Sequence, residues 1–169
     1  DSFTETQVEG GATVAGNINL LDNDSDPDAS DLPVEVVPAL AVEAVDVADG
    51  TTVLGTIDFA ADGTYTLTLN TDGQAAASAL DVTETLTVAA DYTAENKDGA
   101  TAVATLTINI TGENDALVAG DDTDSFTETQ VEGGATVAGN INLLDNDSDP
   151  DASDLPVEVV PALAVEAVD

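Results

Sequence analysis

The chain has 169 residues, of which 35 are Asp or Glu and only Lys97 is Lys or Arg, so its formal charge at pH 7 is −34. It contains no His, Cys, Met or Trp. One lysine cannot displace counterions from phosphates, which excludes nucleic-acid binding. Without His and Cys, the chain lacks the usual ligands of zinc, haem and iron–sulfur sites. It also lacks the residues needed for Ser-His-Asp or Cys-His catalysis. Apolar residues still make up 43% of the chain, enough for a core. The sequence contains no apolar run of about 18 residues, so we expect no membrane insertion.

In chain order, alternation of apolar and polar residues predicts strands almost throughout. We expect them at Ser2–Thr6, Ala12–Ala15, Val34–Val37, Leu40–Val45, Thr52–Phe59, Thr64–Leu69, Thr83–Tyr92 and Thr101–Ile110. In the last of these, the pattern places Ala102, Ala104, Leu106, Ile108 and Ile110 inward. Gln74–Leu80 is the one expected helical turn. Seven or eight strands joined by Gly-containing turns predict an all-β, immunoglobulin-like (cadherin-like) β-sandwich.

Residues 1–46 recur without change at residues 124–169, which gives a tandem repeat of 123-residue period. A period of this length corresponds to a whole domain rather than to a solenoid turn. We expect one nearly complete repeat at residues 1–115, an acidic seam at residues 116–123 and an incomplete second repeat at residues 124–169. A segment of 46 residues cannot close a core alone. We expect that the second copy either pairs with another chain or belongs to a longer polymer. Either copy could complete the fold around residues 47–115.

The most acidic segment is the loop Leu20–Asp31 (LLDNDSDPDASD), which recurs as Leu143–Asp154. Carboxylates at this density repel one another unless a cation lies among them, and Ca²⁺ takes about six to eight oxygen ligands of this kind. An EF-hand has Gly and Glu where this loop has Pro27 and Pro33, so further ligands must come from elsewhere in the fold. The predicted calcium ligands are Asp22, Asn23, Asp24, Asp26, Asp28, Asp31, Asp145, Asn146, Asp147, Asp149, Asp151 and Asp154. The alternative is a solvated acidic loop without a metal, and Mg²⁺ fits less well because it retains water ligands.

A second acidic cluster lies where one repeat meets the next. Its predicted calcium ligands are Glu113, Asn114, Asp115, Asp121, Asp122 and Asp124. The alternative here is a short polar linker. A third set lies at expected turns and is interpreted as turn chemistry, with metal binding as the alternative: Asp46, Asp49, Asp58, Asp62 and Asp72.

Four motifs resemble parts of VCBS-type bacterial repeats. GTYTLTL at Gly63–Leu69, ETLT at Glu84–Thr87 and ATLTINITGEND at Ala104–Asp115 are similar to the closing half of such repeats. NINLLDNDSDPD, which begins at Asn17, is similar to the opening of the same and of related cadherin-like bacterial modules. The segment DYTAENKDG (Asp91–Gly99) departs from the family pattern, which usually has an aromatic-Thr-aromatic hairpin there.

The resemblance implies an immunoglobulin-like bead from a very large secreted adhesin of the RTX class, rigidified by calcium. Carried over by position, it implies ligation by Asp22, Asp24, Asp26 and Asp28, and at the seam by Glu113, Asn114 and Asp115. The glycine-rich RTX nonapeptide itself is absent from the chain.

We therefore expect a non-catalytic structural extender on the bacterial cell surface, whose partners are neighbouring identical repeats in the same or adjacent chains. The main alternative is a self-assembling extracellular filament or surface-layer subunit that shares strands between chains. Ice or carbohydrate binding by rows of threonine is less well supported, because threonine is simply a good strand former. Glycosidase activity from two carboxylates is the weakest option, because no sequence feature sets one acid apart.

Overall fold

A computed structural model of the chain describes residues 1–38, 41–134, 136–151 and 154–160. The chain divides into two compact units, Asp1–Asn114 and Asp115–Asp169. Among its described residues, the first unit contains eight strands, two short α-helices and two 3₁₀ turns. The strands are β1 (Ser2–Thr4), β2 (Thr13–Ala15), β3 (Glu35–Val36), β4 (Val42–Asp46), β5 (Val53–Phe59), β6 (Tyr65–Leu69), β7 (Thr85–Glu95) and β8 (Thr101–Thr111). The helices are α1 (Glu5–Val8) and α2 (Thr71–Ala77).

The strands form one mixed sheet in the order β1-β8-β7-β4-β5-β6-β2, with β3 paired to β7 outside this path. β1 runs parallel to β8, and the other pairs are antiparallel. The all-β class expected from the sequence is therefore confirmed. The predicted strand at Leu40–Val45 begins at Val42 in the structure, and Leu40 lies outside the described residues.

The sheet is strongly curled. β1 and β2 lie at opposite ends of the strand order, although only residues 5–12 separate them. At about 4.8 Å per strand, a flat sheet would hold them roughly 29 Å apart, which a connection containing helical turns cannot span. Hydrogen bonds of Asp1 show the closure directly. The Tyr65 hydroxyl of β6 donates to Asp1 Oδ2 at 2.6 Å, and the Asn109 N–H of β8 donates to the Asp1 carbonyl at 3.0 Å.

The apolar side chains that the alternation places inward form the core. Members on the last three strands are Tyr65, Leu67, Leu69, Val88, Ala90, Tyr92, Leu106, Ile108 and Ile110. The inward placement of Ala102 was wrong, because its side chain is exposed. Ala102 pairs with Ala94 near the far end of the β7–β8 ladder and lines an open cleft beside the acidic loop rather than the core.

Two local elements differ from expectation. The helix predicted at Gln74–Leu80 begins earlier, at Thr71, because the Asn70 side chain accepts the Gly73 N–H at 2.8 Å and caps it. The strand predicted at Ser2–Thr6 ends at Thr4, where α1 begins and the Thr4 N–H donates to Gln7 Oε1 at 2.8 Å. Among the described residues, no helix combines the length and apolarity needed to cross a membrane.

In its described residues, the second unit repeats the helical turns of the first copy but not its strands. Helix α3 (Glu128–Val131) and the 3₁₀ turn Glu132–Gly134 match α1 and the 3₁₀ turn Glu9–Gly11. Residues 125–127 carry the sequence of β1 but form no strand. A strand requires a neighbour for its backbone hydrogen bonds, and β8 supplies that neighbour to β1.

Burial predicts which residues of β8 carry stability. We expect Ile108→Ala, at a position with 0% exposure, to lower the free energy of unfolding by about 2–5 kcal/mol because it leaves a cavity. Val103→Ala, at a position that is 71% exposed on the same strand, should change it by less than about 0.5 kcal/mol. Urea denaturation of both variants measures the difference, and equal losses would contradict the assigned core.

Candidate metal centre

The acidic loop of the first copy brings three carboxylates together. One side-chain oxygen from each of Asp26, Asp28 and Asp31 lies within 4.8 Å of the others. The loop backbone sets this spacing. The Asp28 N–H donates to Asp26 Oδ1 at 2.9 Å, and the Asp31 N–H donates to the Asp28 carbonyl at 2.9 Å. Consecutive turns therefore place the three acids around one point, where a cation would find oxygen ligands.

The β7–β8 hairpin holds this loop in place. Asn96 Nδ2 donates to Asp26 Oδ2 at 2.9 Å. This bond is the main cause of a lowered pKa of Asp26, and the bond from the Asp28 N–H lowers the pKa further. The Lys97 N–H donates to the Asp31 carbonyl at 3.0 Å, and Lys97 Nζ donates to the Ser30 carbonyl at 3.3 Å. The one basic side chain of the protein thus lies against its most acidic loop.

The second copy assembles the same three positions. One oxygen from each of Asp149, Asp151 and Asp154 lies within 4.8 Å of the others. The backbone bonds also recur: the Asp151 N–H donates to Asp149 Oδ1 at 3.1 Å, and the Asp154 N–H donates to the Asp151 carbonyl at 3.1 Å. The grouping therefore follows from the loop's own sequence, because the second unit has no described sheet like that of the first.

In the second unit, the segment of residues 115–121 runs alongside the acidic loop. Val118 and Ser148 exchange both backbone hydrogen bonds, at 2.8 and 2.9 Å. The Asp115 N–H donates to Asp151 Oδ2 at 2.9 Å. The predicted seam ligand Asp115 thus contacts the loop through its backbone N–H, which binds a loop carboxylate.

The same segment makes a second set of contacts further along the loop. The Gly120 N–H donates to Asp147 Oδ1 at 2.9 Å, and Asn146 Nδ2 donates to the Asp121 carbonyl at 3.2 Å. A Cβ on Gly120 would lie 2.4 Å from Asn146 Nδ2, so a larger residue here would require the Asn146 side chain to shift. The segment of residues 115–121 and the acidic loop of this unit are therefore joined by backbone and side-chain hydrogen bonds.

Asp151 is the most distinctive residue of the second cluster. It has 0% exposure, and its Oδ1 has no hydrogen-bond partner among the described residues. Burying a carboxylate without full compensation is costly. A cation among Asp149, Asp151 and Asp154 would supply that compensation.

In the acidic loop of the first copy, a different oxygen is buried without a partner among the described residues. Asp28, the counterpart of Asp151, is exposed. Here the buried oxygen with no partner among the described residues is Asp24 Oδ2. Burial raises the pKa of the Tyr92 hydroxyl, and the charge of the nearby Asp24 raises it further. This hydroxyl donates to the Leu20 carbonyl at 3.3 Å.

Other predicted ligands of the loops lie outside both groups of three. Asp22, Asn23 and Asp145 are exposed, and Asp145 Oδ1 accepts from Asn142 Nδ2 at 2.7 Å.

The remaining seam residues also lie apart from these groups. Asn114 and Asp122 are exposed. The two oxygens of Asp124 accept the N–H groups of Ser125 and Asn140, both at 2.7 Å. The Glu113 N–H donates to Glu5 Oε2 at 3.0 Å.

Sequence reasoning missed Glu5, Asn96 and Lys97. Glu5 is only 1% exposed, and Glu113 Oε2 also accepts from the hydroxyl of its neighbour Thr6. No local pattern marks Glu5, because a single Glu after a short strand is ordinary. Asn96 and Lys97 lie in the segment Asp91–Gly99, where the rarity of basic residues was the one available signal.

Turn chemistry accounts for Asp46, Asp49 and Asp62 of the third set. Asp46 Oδ1 accepts the Ala48 N–H at 2.8 Å. Asp49 accepts from the Thr52 hydroxyl at 2.5 Å and from two backbone N–H groups at 2.8 Å. These bonds lower the pKa of Asp49 to about 2. Hydrogen bonds from its own turn likewise lower the pKa of Asp62.

A comparison with protein-family models and one with curated proteins find no match for this chain.

The lowered pKa of Asp49 predicts an acid-dependent contribution to stability. Because its folded pKa lies below the ordinary value of 3.8, the contribution is complete above about pH 4 and disappears as the pH falls toward 2. We expect Asp49→Asn to reduce the loss of stability across that window. Urea denaturation at several pH values measures this, with Asp58→Asn, at an exposed position of β5, as the control. Identical pH profiles for wild type and Asp49→Asn would contradict the assignment.

Proposed function

We propose that the chain is a calcium-binding, non-catalytic extender repeat of a long bacterial cell-surface adhesin. Its fold would be an immunoglobulin-like (cadherin-like) β-sandwich, ordered and stiffened by Ca²⁺. The observation that carries the proposal is the recurrence of one three-carboxylate group at the same positions in both copies, Asp26, Asp28 and Asp31, and Asp149, Asp151 and Asp154.

The chemistry of these groups favours calcium. All the grouped ligand atoms are carboxylate oxygens, which are the ligands that a hard cation prefers. Fully buried Asp151, whose Oδ1 has no partner among the described residues, adds a need for positive charge that the protein's single lysine does not meet. The motif resemblance to VCBS-type repeats supports the extracellular setting.

Calcium would act through linkage. A ligand that binds the folded state far better than the unfolded one stabilises it by about 2.7 kcal/mol at a concentration of 100 times Kd. Extracellular modules have Kd values of about 10⁻⁴–10⁻³ M, so such a repeat would be ordered outside the cell. In the second unit, calcium at Asp151 would also secure the seam, because the Asp115 N–H is bonded to the same carboxylate.

Calcium should raise the thermal stability of the protein. We expect 10 mM CaCl₂ to raise Tm by several degrees, since about 1 kcal/mol corresponds to roughly 2–4 °C for a chain of 150–250 residues and to more for a smaller unit. MgCl₂ at the same concentration should have a smaller effect.

Variants locate the effect. Asp28→Asn/Asp31→Asn and Asp149→Asn/Asp151→Asn should each reduce the calcium-dependent shift. Asp49→Asn, which removes an acid bonded within its own turn, should retain the full shift. An equal Tm with and without calcium would refute the proposed function.

A filament or surface-layer subunit that shares strands between chains is the second candidate. The observation in its favour is the exposure of large apolar side chains in the second copy, among them Phe126 and Val131. Sedimentation velocity with and without calcium separates the two candidates. Linear oligomers would favour the filament, and a single monomeric species would favour the extender.

A further inference from the structure

The two copies of the repeated segment bury their identical side chains very differently. Phe3 is 3% exposed and its counterpart Phe126 is 41% exposed; Val8 is 1% exposed and its counterpart Val131 is 50% exposed. Leu20 and Val36 are likewise buried, whereas Leu143 and Val159 are exposed. Because the sequences are identical, the difference lies in what covers each copy.

In the first copy, the covering element is the part of the sheet formed by β4 to β8, here called the acceptor sheet (Val42–Thr111). β1 pairs with β8, β2 with β6, and β3 with β7. Phe3, Val8, Leu20 and Val36 belong to one core cluster with acceptor-sheet residues such as Ile57 and Ile108. Residues 1–38 therefore dock on a surface formed mostly by residues 47–111, which lie between the two copies.

The second copy already has the local conformation that docks. The Thr127 N–H donates to Gln130 Oε1 at 2.9 Å, against 2.8 Å for the counterpart bond of the first copy. The Asn140 N–H donates to Asp124 Oδ2 at 2.7 Å, as the counterpart does in the first copy at 2.7 Å. Helix α3 and the 3₁₀ turn that follows it complete the match with the first copy. Docking of the second copy would thus leave these turns unchanged, and its strands would form as they pair with the sheet.

The connection from β8 to the second copy is long enough. In the docked register, Ser2 lies opposite Asn109. To take that place, residue 125 must reach a point roughly 8 Å from Thr111, one strand across and two residues back. The intervening chain can extend to roughly 45 Å.

We propose that residues 124–160 are an alternative occupant of the acceptor sheet and can replace residues 1–38 of the same chain there. Each buried side chain of the departing copy is replaced by the same side chain of the incoming copy, because the two sequences are identical. The covalent connection makes the exchange intramolecular, with a high effective concentration of the incoming copy. The protein would then interconvert between two arrangements in which either copy completes the fold.

Alanine substitutions at the duplicated phenylalanine test this directly. Loss of a buried Phe normally changes the unfolding equilibrium constant by on the order of 10²–10³ or more. If the second copy can take over, Phe3→Ala alone should change it by less than about tenfold. Adding Phe126→Ala should then produce the full loss, whereas Phe126→Ala in the wild-type background should have little effect.

Phe59→Ala is the matched control. Phe59 is 7% exposed, lies on β5 of the acceptor sheet and has no second copy in the chain, so its removal should cause the full loss by itself. If Phe3→Ala alone costs as much as Phe3→Ala/Phe126→Ala, or fails to fold, the proposal is wrong.

Thiol labelling gives an independent readout, because the protein has no cysteine of its own. In Val131→Cys, the thiol at this half-exposed position should react quickly with a thiol reagent. In Val131→Cys/Phe3→Ala, the second copy should occupy the sheet, and the reaction should slow severalfold. An unchanged rate would overturn the proposal. Slowing that disappears on tenfold dilution would also overturn it, because it would show exchange between molecules instead.

Discussion

The antiparallel pairing of β7 with β8 is the interaction on which the rest of the first unit depends. Each of the two strands has 11 residues, paired from Thr85 opposite Thr111 to Glu95 opposite Thr101. β8 supplies the free edge on which β1 docks, and β7 holds β3 and β4 on its other side. The hairpin between them carries Asn96 and Lys97 to the acidic loop. The same ribbon thus organises both the core and the candidate metal centre.

Negative charge is the second constraint, and the structure divides it into two kinds. Acids in tight turns, such as Asp49 and Asp62, are satisfied by N–H and hydroxyl groups of their own turn, which lower their pKa values. Acids of the repeated loop instead face one another in groups of three. Local hydrogen bonds stabilise the first kind without a metal. The second kind is where a bound cation would contribute most to stability.

Some of the site could be read from the sequence, and some could not. The density of Asp in the repeated loop marked it as a candidate, and both groups of three come from it. Backbone turns decide which acids of the loop come together, and the spacing alone does not specify those turns. They group Asp26, Asp28 and Asp31 and leave out Asp22 and Asn23. Glu5 and Asn96 escaped notice because each is distant in the chain from the group that it bonds. The bond from the Gly120 N–H to Asp147 likewise has no side-chain pattern that could predict it.

The sequence by itself determined the all-β class, the facing of most strand residues and the 123-residue period, because strand periodicity and repetition are properties of the chain read locally. It also determined the loop conformation, which both copies adopt with the same backbone bonds. Only the tertiary structure decided which copy forms strands. Phe3 is buried and Phe126 is exposed, although no residue differs between the two segments. Burial and strand pairing depend on contacts with a partner surface, which the first copy finds on β6, β7 and β8.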